Sequence, residues 1–409
     1  MRILLLTQWY PPEPASLLQE LAQTLLEKGH DVEVLTGFPN YPSGKLYPGY
    51  RLRWSMKEKL DKISVSRVFL YPDHSGSKIK RILNYFSFAI SSAFLGPWMV
   101  SKPDVIFVYH PPLTVGIPAF LISRLWRVPF VYQVQDMWPE TLRATGMVTN
   151  QSVLKWVGVF AKRVYRWAHA VLVISPGFKH NLIRKGVDGG KIYVVSNWVD
   201  SKLYHPIEPD FRLKEQLGLI NKFNVMFAGN LGKAQGLETV IETAVLFSNN
   251  KKIQFIFVGD GVVLPELKRM VEEKKLNNIV FLGRYPEKEM SKLFALADVL
   301  LVHLNDDPLF QITIPHKILS YLAVGKPIIA ALDGDGAEVV IDAKAGIVCP
   351  PQNPEALAKA VSTMYNLSKE EREKLGSNAL QAARTKYSRQ KLVDEIEDVL
   401  EQAVSQPSK

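Results

Sequence analysis

"PLFQITIPHKILSYLAVGKPIIAA", residues 308–331, decides how the chain is read. Apolar residues recur at helical spacing from Ile314 to Val324, Gly325 stops the helix, and Pro327 opens a short apolar strand. Loop, helix, glycine stop and buried strand in that order make half of a βαβ unit. The helix opens on Pro315, His316 and Lys317, which predicts a proline near its first position and a cation in its first turn. A lysine there opposes the helix dipole, so the pattern points to an anion held at that end. The alternative is a lysine that simply reaches water.

The same grammar runs outward. "NVMFAGN" (224–230), "IQFIFVGDG", "IVFLGRY", "DVLLVHL", "PIIAA" and "AGIVCP" read as strands with helical stretches between them. The first half opens likewise: "RILLLT" (2–7) is a continuous apolar strand of the parallel type, a proline loop leads into "SLLQELAQTLLEKG", and "DVEVLTG" follows. "PDVIFVYH", "PFVYQVQD" and "AVLVIS" are further strands. Alternating strands and helices predict a right-handed doubly wound parallel sheet in each half. Residues 200–222 mix proline, charge and loop formers and mark the break. The expected fold class is α/β: a Rossmann-like domain over residues 1–205, a second over 206–385, and a C-terminal crossover helix and tail over 386–409 that folds back. Open α/β sheets bind ligands beyond the carboxyl ends of their strands, so a cleft between two facing domains is the expected site.

Composition narrows the partners. At 409 residues the chain is long enough for two cores, and 47% hydrophobic with 22% charged residues is ordinary for a soluble globular protein. A single cysteine, Cys349, excludes an internal disulfide and favours a reducing compartment. The opening "MRILLLTQWYPPEP" reads as a first strand rather than a signal peptide. Residues 1–200 carry 24 Lys+Arg against 13 Asp+Glu, a surplus of +11, while residues 201–409 carry 26 against 27. A basic half implies an anionic partner: nucleic acid, a membrane surface or a phosphorylated substrate. The uncharged stretch 83–100 is interrupted by Asn, Ser and Gly-Pro and reads as a helix packed on a sheet rather than a span.

Chemistry-bearing residues gather at the predicted strand ends. In "FAGNLGKAQGLETV" (227–240), Gly229, Gly232 and Gly236 surround Asn230, Lys233 and Gln235 before a helix. Glycines allow close backbone approach and the helix start offers free N–H groups, which suits a diphosphate; the spacing is neither G-x-G-x-x-G nor a Walker A loop. Gly259 and Asp260 in "VGDG" and Arg284 in "LGRYP" stand in loops suited to a base and ribose, or to plain βα turns. In the first half, "YQVQDMWPETLRATG" places Asp136, Trp138 and Glu140 beyond a strand end, where two carboxylates beside an aromatic suit sugar hydroxyls or a general base. Asp136 as a helix cap is the plain alternative. His110 in "VYHPP" also sits at a strand end, and "GFPNYPSGKLYPGYR" (37–51) has the length of a binding loop.

With these motifs in place the chain resembles the retaining, sugar-nucleotide-dependent glycosyltransferases of family 4, which have the GT-B fold. It looks most like the branch of N-acetylfucosamine-type transferases of bacterial O-antigen and capsule assembly. The likeness spans "YPPE", "GHDVEVLTGFPNYPSGKLYPGYR", "QDMWPE", "GNLGKAQGLETV" and "IPHKILSYLAVGKPII" in that order. It implies that the 229–236 loop and the Pro315–His316–Lys317 turn hold a donor diphosphate, with Lys233 and Lys317 stabilising the departing nucleotide. Several family positions differ. Ser320 and Ile312 stand where two glutamates are usual, Asn230 and Gln235 where an arginine and a lysine are, and "EPAS" replaces a glycine pair.

The function expected is transfer with retention of a sugar, taken as an N-acetylated deoxyhexose, from a UDP-sugar. The receiver is a lipid-linked (polyprenyl diphosphate) or saccharide acceptor in surface-polysaccharide biosynthesis. Lys233, Lys317, Asp136 and Glu140 are the expected catalytic residues. Gly229, Asn230, Gly232, Gln235, Gly259, Asp260, Arg284, Pro315, His316 and Ser320 are expected to bind the donor, with His110 and Trp138 on the acceptor side. No cofactor is expected beyond the UDP-sugar donor, no metal, and no nucleic acid, because the basic half has no recognition motif. The basic, aromatic stretch "LKWVGVFAKRVYRWAHA" (154–170), aided by 83–100 and by Lys78, Lys80 and Arg81, is expected to lie on an anionic membrane surface, peripherally on the cytoplasmic face. Packing of its aromatics on the sheet is the alternative. A UDP-sugar 2-epimerase of the same architecture and a non-catalytic nucleotide-binding subunit remain as rival readings.

Overall fold

A computed structural model describes residues 1–73, 77–144 and 146–405. The chain divides into two compact units, one of Met1–Ser196 with Gln390–Lys409, the other of Asn197–Arg389. The second unit thus begins at Asn197 rather than at residue 206, and the last helix leaves it at Arg389.

The first unit is built on an eight-stranded sheet. In chain order its strands are β1 (Arg2–Leu6), β2 (Asp31–Gly37), β3 (Ser55–Leu60), β4 (Ile63–Val68), β5 (Val105–Tyr109), β6 (Phe130–Val134), β7 (Ala170–Val173) and β8 (Ile192–Val194). They lie in the order β3-β4-β2-β1-β5-β6-β7-β8. Residues 3–6 of β1 are almost wholly buried, as the continuous apolar pattern requires of a strand covered on both faces. The sheet is parallel except for β3, which pairs antiparallel with β4 through a turn whose Asp61 and Lys62 have φ of 48° and 71°. That hairpin departs from the all-parallel expectation. "SMKEKL" alternates polar residues because β3 is an edge strand, and its lysines blunt the open edge.

Six helices flank this sheet: α1 (Ser16–Glu27), α2 (Lys78–Met99), α3 (Gly116–Trp126), α4 (Glu140–Ala144), α5 (Gln151–Trp167) and α6 (Pro176–Arg184). The C-terminal helix Arg389–Ser405 docks on the same unit, with Lys28 Nζ 2.5 Å from both Asp394 and Glu397 and His30 Nε2 2.5 Å from Glu397. This is the fold-back expected of it.

The second unit holds β9 (Phe223–Ala228), β10 (Ile253–Val258), β11 (Ile279–Gly283), β12 (Val299–His303), β13 (Ile328–Ala331) and β14 (Gly346–Cys349). Their order is β11-β10-β9-β12-β13-β14, and every pair is parallel. Side chains alternate along β9, so Phe223, Val225 and Phe227 enter one core layer while Met226 and Ala228 enter the other. Chain order doubles back beside β9, so the β9 and β12 ends form a switch point where such sheets bind ligands.

Candidate functional site

At the carboxyl ends of β9, β10 and β11 the loops are tied backbone to backbone. The Gly229 N–H donates to Val258 O (2.9 Å), the Gly259 N–H to Gly283 O (2.8 Å) and the Leu231 N–H to Asp260 O (2.9 Å). A Cβ at Gly259, where φ is 138°, would stand 1.9 Å from Gly229 O, so only glycine permits this approach. The loops open a cavity of about 490 Å³ with Gly229, Asn230, Gly259, Asp260 and Arg284 on one side and His316, Lys317 and Ser320 on the other.

The helix His316–Ala323 supplies that second side. Pro315 is its N-cap with φ −62° and ψ 131°, one position earlier than the sequence suggested, so His316 and Lys317 occupy the first turn. N–H groups of a first turn have no intrahelical partner. Lys317 turns its ammonium 3.8 Å from the centroid of the Phe227 ring and donates to Gln235 Oε1 at 2.5 Å. Among the described residues no carboxylate pairs with it, and desolvation pulls its pKa down to about 7. A partly desolvated ammonium at the start of a helix has the charge and geometry that suit an anion.

Gln235 is itself held. His303 donates from Nδ1 to the Gln235 carbonyl at 2.6 Å and accepts the Gln352 N–H at Nε2 (3.3 Å), which fixes its tautomer; burial lowers its pKa to about 4. Tyr321, fully buried, anchors the end of β9 by accepting the Ala228 N–H at 3.1 Å. Glu287 brings a carboxylate to the cavity wall, steadied by the Tyr204 hydroxyl at 3.1 Å. His303, Tyr321, Tyr204 and Glu287 escaped the sequence reading. Only the strand-end position of His303 could have flagged one of them.

The expected donor residues separate into three groups. Gly229, Asn230, Gly259, Asp260, Arg284, His316, Lys317 and Ser320 line the cavity. Gly232, Gln235 and Pro315 shape it from behind. Lys233 does neither: its side chain is exposed and does not reach the cavity wall, although its carbonyl accepts from Asn305 Nδ2 at 2.8 Å. Lys233, expected beside Lys317 at a donor diphosphate, is therefore not among the residues that line this cavity. Three glycines around a lysine mark a tight loop without telling which way the lysine points.

In the first unit, His110, Asp136 and Trp138 do meet. His110 Nδ1 accepts the Asp136 backbone N–H at 3.4 Å, and its ring stands edge-on to Trp138 with centroids 5.5 Å apart. The proton is thus assigned to Nε2, which has no partner among the described residues. Burial lowers the His110 pKa to about 3 and raises that of Asp136. Glu140 does not join them. It opens α4 and pairs with Lys185 at 2.6 Å, so it is not the free carboxylate expected.

The first unit also shows how the aromatics of the basic stretch 154–170 are placed. On α5 Tyr165 is buried, Trp167 stacks on Phe120 with centroids 4.2 Å apart, and Phe160 meets Trp167 edge-on. Only Trp156 of its four aromatics projects. A longer exposed apolar stripe lies on α2, where Ile79, Leu83, Phe86, Ile90, Phe94 and Trp98 recur at helical spacing. The Lys78 side chain lies outside the described residues. Among the described residues no helix is long and apolar enough to cross a membrane.

Known proteins place this architecture. Residues 14–198 match the sequence model of the glycosyl transferase 4-like domain, and residues 211–382 that of glycosyl transferases group 1. The putative colanic acid biosynthesis glycosyl transferase WcaI of Escherichia coli (strain K12) is 29% identical over 80% of this chain and 82% of its own. The probable glycosyltransferase WbjE of Pseudomonas aeruginosa is 28% identical over 65% and 67%. Among solved structures, Anabaena Alr3699/HepE in complex with UDP superposes with a TM-score of 0.72 at 18% identity, covering 98% of this chain and 100% of that one. One matched domain in each unit and a common fold across nearly the whole chain lead to one conclusion: the chain belongs to the group 1, 4-like glycosyltransferases of the two-domain GT-B fold.

Proposed function

We propose that the protein transfers a sugar, with retention, from a UDP-sugar to a lipid-linked saccharide acceptor during surface-polysaccharide assembly. One observation carries the donor half: the Lys317 ammonium, short of a counter-ion, at a helix start that faces three glycine-bearing loops. A diphosphate supplies the missing charge. As the sugar–phosphate bond breaks, negative charge grows on the leaving phosphate, and a fixed ammonium with backbone N–H groups stabilises it. Lys317 thereby takes the part a divalent metal plays elsewhere, and the reaction needs no metal or cofactor.

Glu287, on the cavity wall with Ser320, is the residue here suited to accept the paired hydroxyls of a ribose, which the serine at 320 cannot do with a charge. The names of the relatives, one in colanic acid biosynthesis, and the UDP in the Anabaena protein support the substrate class. His110 and Asp136 are assigned to the acceptor. Departure of the phosphate on the face where the acceptor hydroxyl enters lets that phosphate receive the hydroxyl proton, which accounts for retention without a covalent intermediate.

The enzyme works on the cytoplasmic face of a membrane. The apolar stripe of α2, flanked by Lys80 and Arg81, is the surface assigned to anionic lipid. Salt-sensitive co-sedimentation with anionic vesicles, reduced by Phe94→Ser with Trp98→Ser, is expected; unchanged co-sedimentation of that variant removes the assignment. For the reaction, a panel of UDP-sugars is incubated with a polyprenyl-diphosphate saccharide and read by mass spectrometry. Transfer that requires the acceptor is expected. Conversion of the UDP-sugar without acceptor would make the protein an epimerase instead.

A further inference from the structure

A second cavity, of about 470 Å³, opens within the first unit between α4, α5 and the end of α6. Its charge is lopsided: Arg143, Lys155, Lys162 and Lys185 face it, against the single carboxylate of Glu140. Lys185 spends one contact on Glu140 at 2.6 Å, and no other partner is present among the described residues. Tyr165, 1% exposed, also lines the cavity, and its hydroxyl has no partner among the described residues. A buried hydroxyl left without a partner is costly, so the arrangement asks for an acceptor atom from outside the chain.

The remaining walls are apolar. Trp138, Pro139, Leu154 and Val159 line the space, and Gly158 of α5 leaves it open, since a Cβ there would meet nothing nearer than Pro139 at 3.7 Å. Val153, Trp156 and Val159 continue the apolar surface along the exposed face of α5. Cations with an unpartnered hydroxyl inside, and an apolar track leading out, match an amphiphile with a phosphate head. Three excess positive charges would be poorly matched by a neutral sugar alone.

We propose that this cavity binds the phosphate or diphosphate of a phosphate-bearing amphiphile, with Lys155, Lys162, Lys185 and the Tyr165 hydroxyl on the oxygens and the hydrocarbon chain along α5. It rests on the reading of the first unit as the acceptor side and names where the acceptor's charged head would sit. Lys185 bridges Glu140 to the ligand, which gives that ion pair a purpose beyond tying α4 to α6.

The test is calorimetric titration of the full chain with geranyl diphosphate, inorganic pyrophosphate and a UDP-sugar. Geranyl diphosphate is expected to bind about tenfold or more tightly than pyrophosphate, because its chain adds apolar burial. Lys155→Gln with Lys162→Gln should weaken it about tenfold or more. Gly158→Leu, which fills the cavity and favours the helix, should abolish binding with the melting temperature maintained. The UDP-sugar affinity should be unchanged in both variants. Geranyl diphosphate bound equally by wild type and Gly158→Leu overturns the assignment, as does pyrophosphate bound as tightly as the prenyl ester. Failure of the UDP-sugar to bind, with prenyl diphosphate still bound in the cavity, would instead sink the transferase reading.

Discussion

The two units present strand-end loops of the same topological kind, yet hold them by opposite means. In the second unit backbone meets backbone: Gly229, Gly259 and Gly283 let three loops touch, and Lys317, at the helix start across the cavity, has no carboxylate partner among the described residues. In the first unit buried side chains do the holding. Arg67, 0% exposed, reaches Glu58 and the Pro11 carbonyl, donates to the Gly37 carbonyl at 3.0 Å, and packs on the Tyr50 ring at 5.0 Å. Glu13 accepts the N–H groups of Tyr10, Asn40 and Tyr41 at 3.1, 2.9 and 2.8 Å, and burial pushes its carboxyl up to about 7. Bare backbone exposes N–H groups to an anion. A satisfied side-chain network shapes a surface and leaves little charge for a ligand, and the cations gathered at a cavity of the first unit lie elsewhere, against α5.

The largest effect should come from breaking the first unit's network. Arg67→Ala leaves Glu58 partly buried without its partner, a loss of about 3–5 kcal/mol in unfolding free energy. Chemical denaturation measures it; a change below about 1 kcal/mol would mean the loops are held by packing rather than by the buried charge. Next comes Lys317→Ala in the second unit. It should weaken a UDP-sugar by about 1.5–3 kcal/mol, roughly ten- to a hundredfold, with thermal stability kept because a desolvated ammonium is removed. Lys233→Ala, from an exposed position outside the cavity, should cost about threefold or less. Equal losses from the two lysines would return Lys233 to the site.

A smaller effect sharpens the same contrast. The Lys317 pKa, depressed to about 7, must rise when a diphosphate binds, so binding takes up a proton above that pH. Affinity for a UDP-sugar is therefore full below about pH 7. It falls as pH rises towards the bound-state pKa, by at most about tenfold per pH unit. Lys317→Ala should flatten that profile, and a wild-type profile already flat between pH 7 and 9 would show that the ammonium is not at the diphosphate.

Patterns local in sequence were legible, and those made by distant residues were not. Continuous apolar strands, the glycine-bearing turns after Ala228 and Val258, and the first-turn Lys317 could all be read because each is set by neighbours within a few positions. The β3–β4 hairpin was missed because an edge strand carries polar residues like a loop. No spacing singles out Arg67, since its partners come from β3, the end of β2 and the loop at Pro11. The Glu140 ion pair was not legible because Lys185 lies far along the chain. Glu287 and Tyr204 meet on the cavity wall for the same reason, and no spacing announces that.

The central claim is that the second unit's cavity takes the nucleotide-sugar. Backbone hydrogen exchange with and without a saturating UDP-sugar tests it most directly. Slowed exchange is predicted at residues 229–232, 259–261 and 316–320, where the loops and helix start line the cavity. Unchanged exchange in those three segments, with protection confined to the first unit, would contradict it.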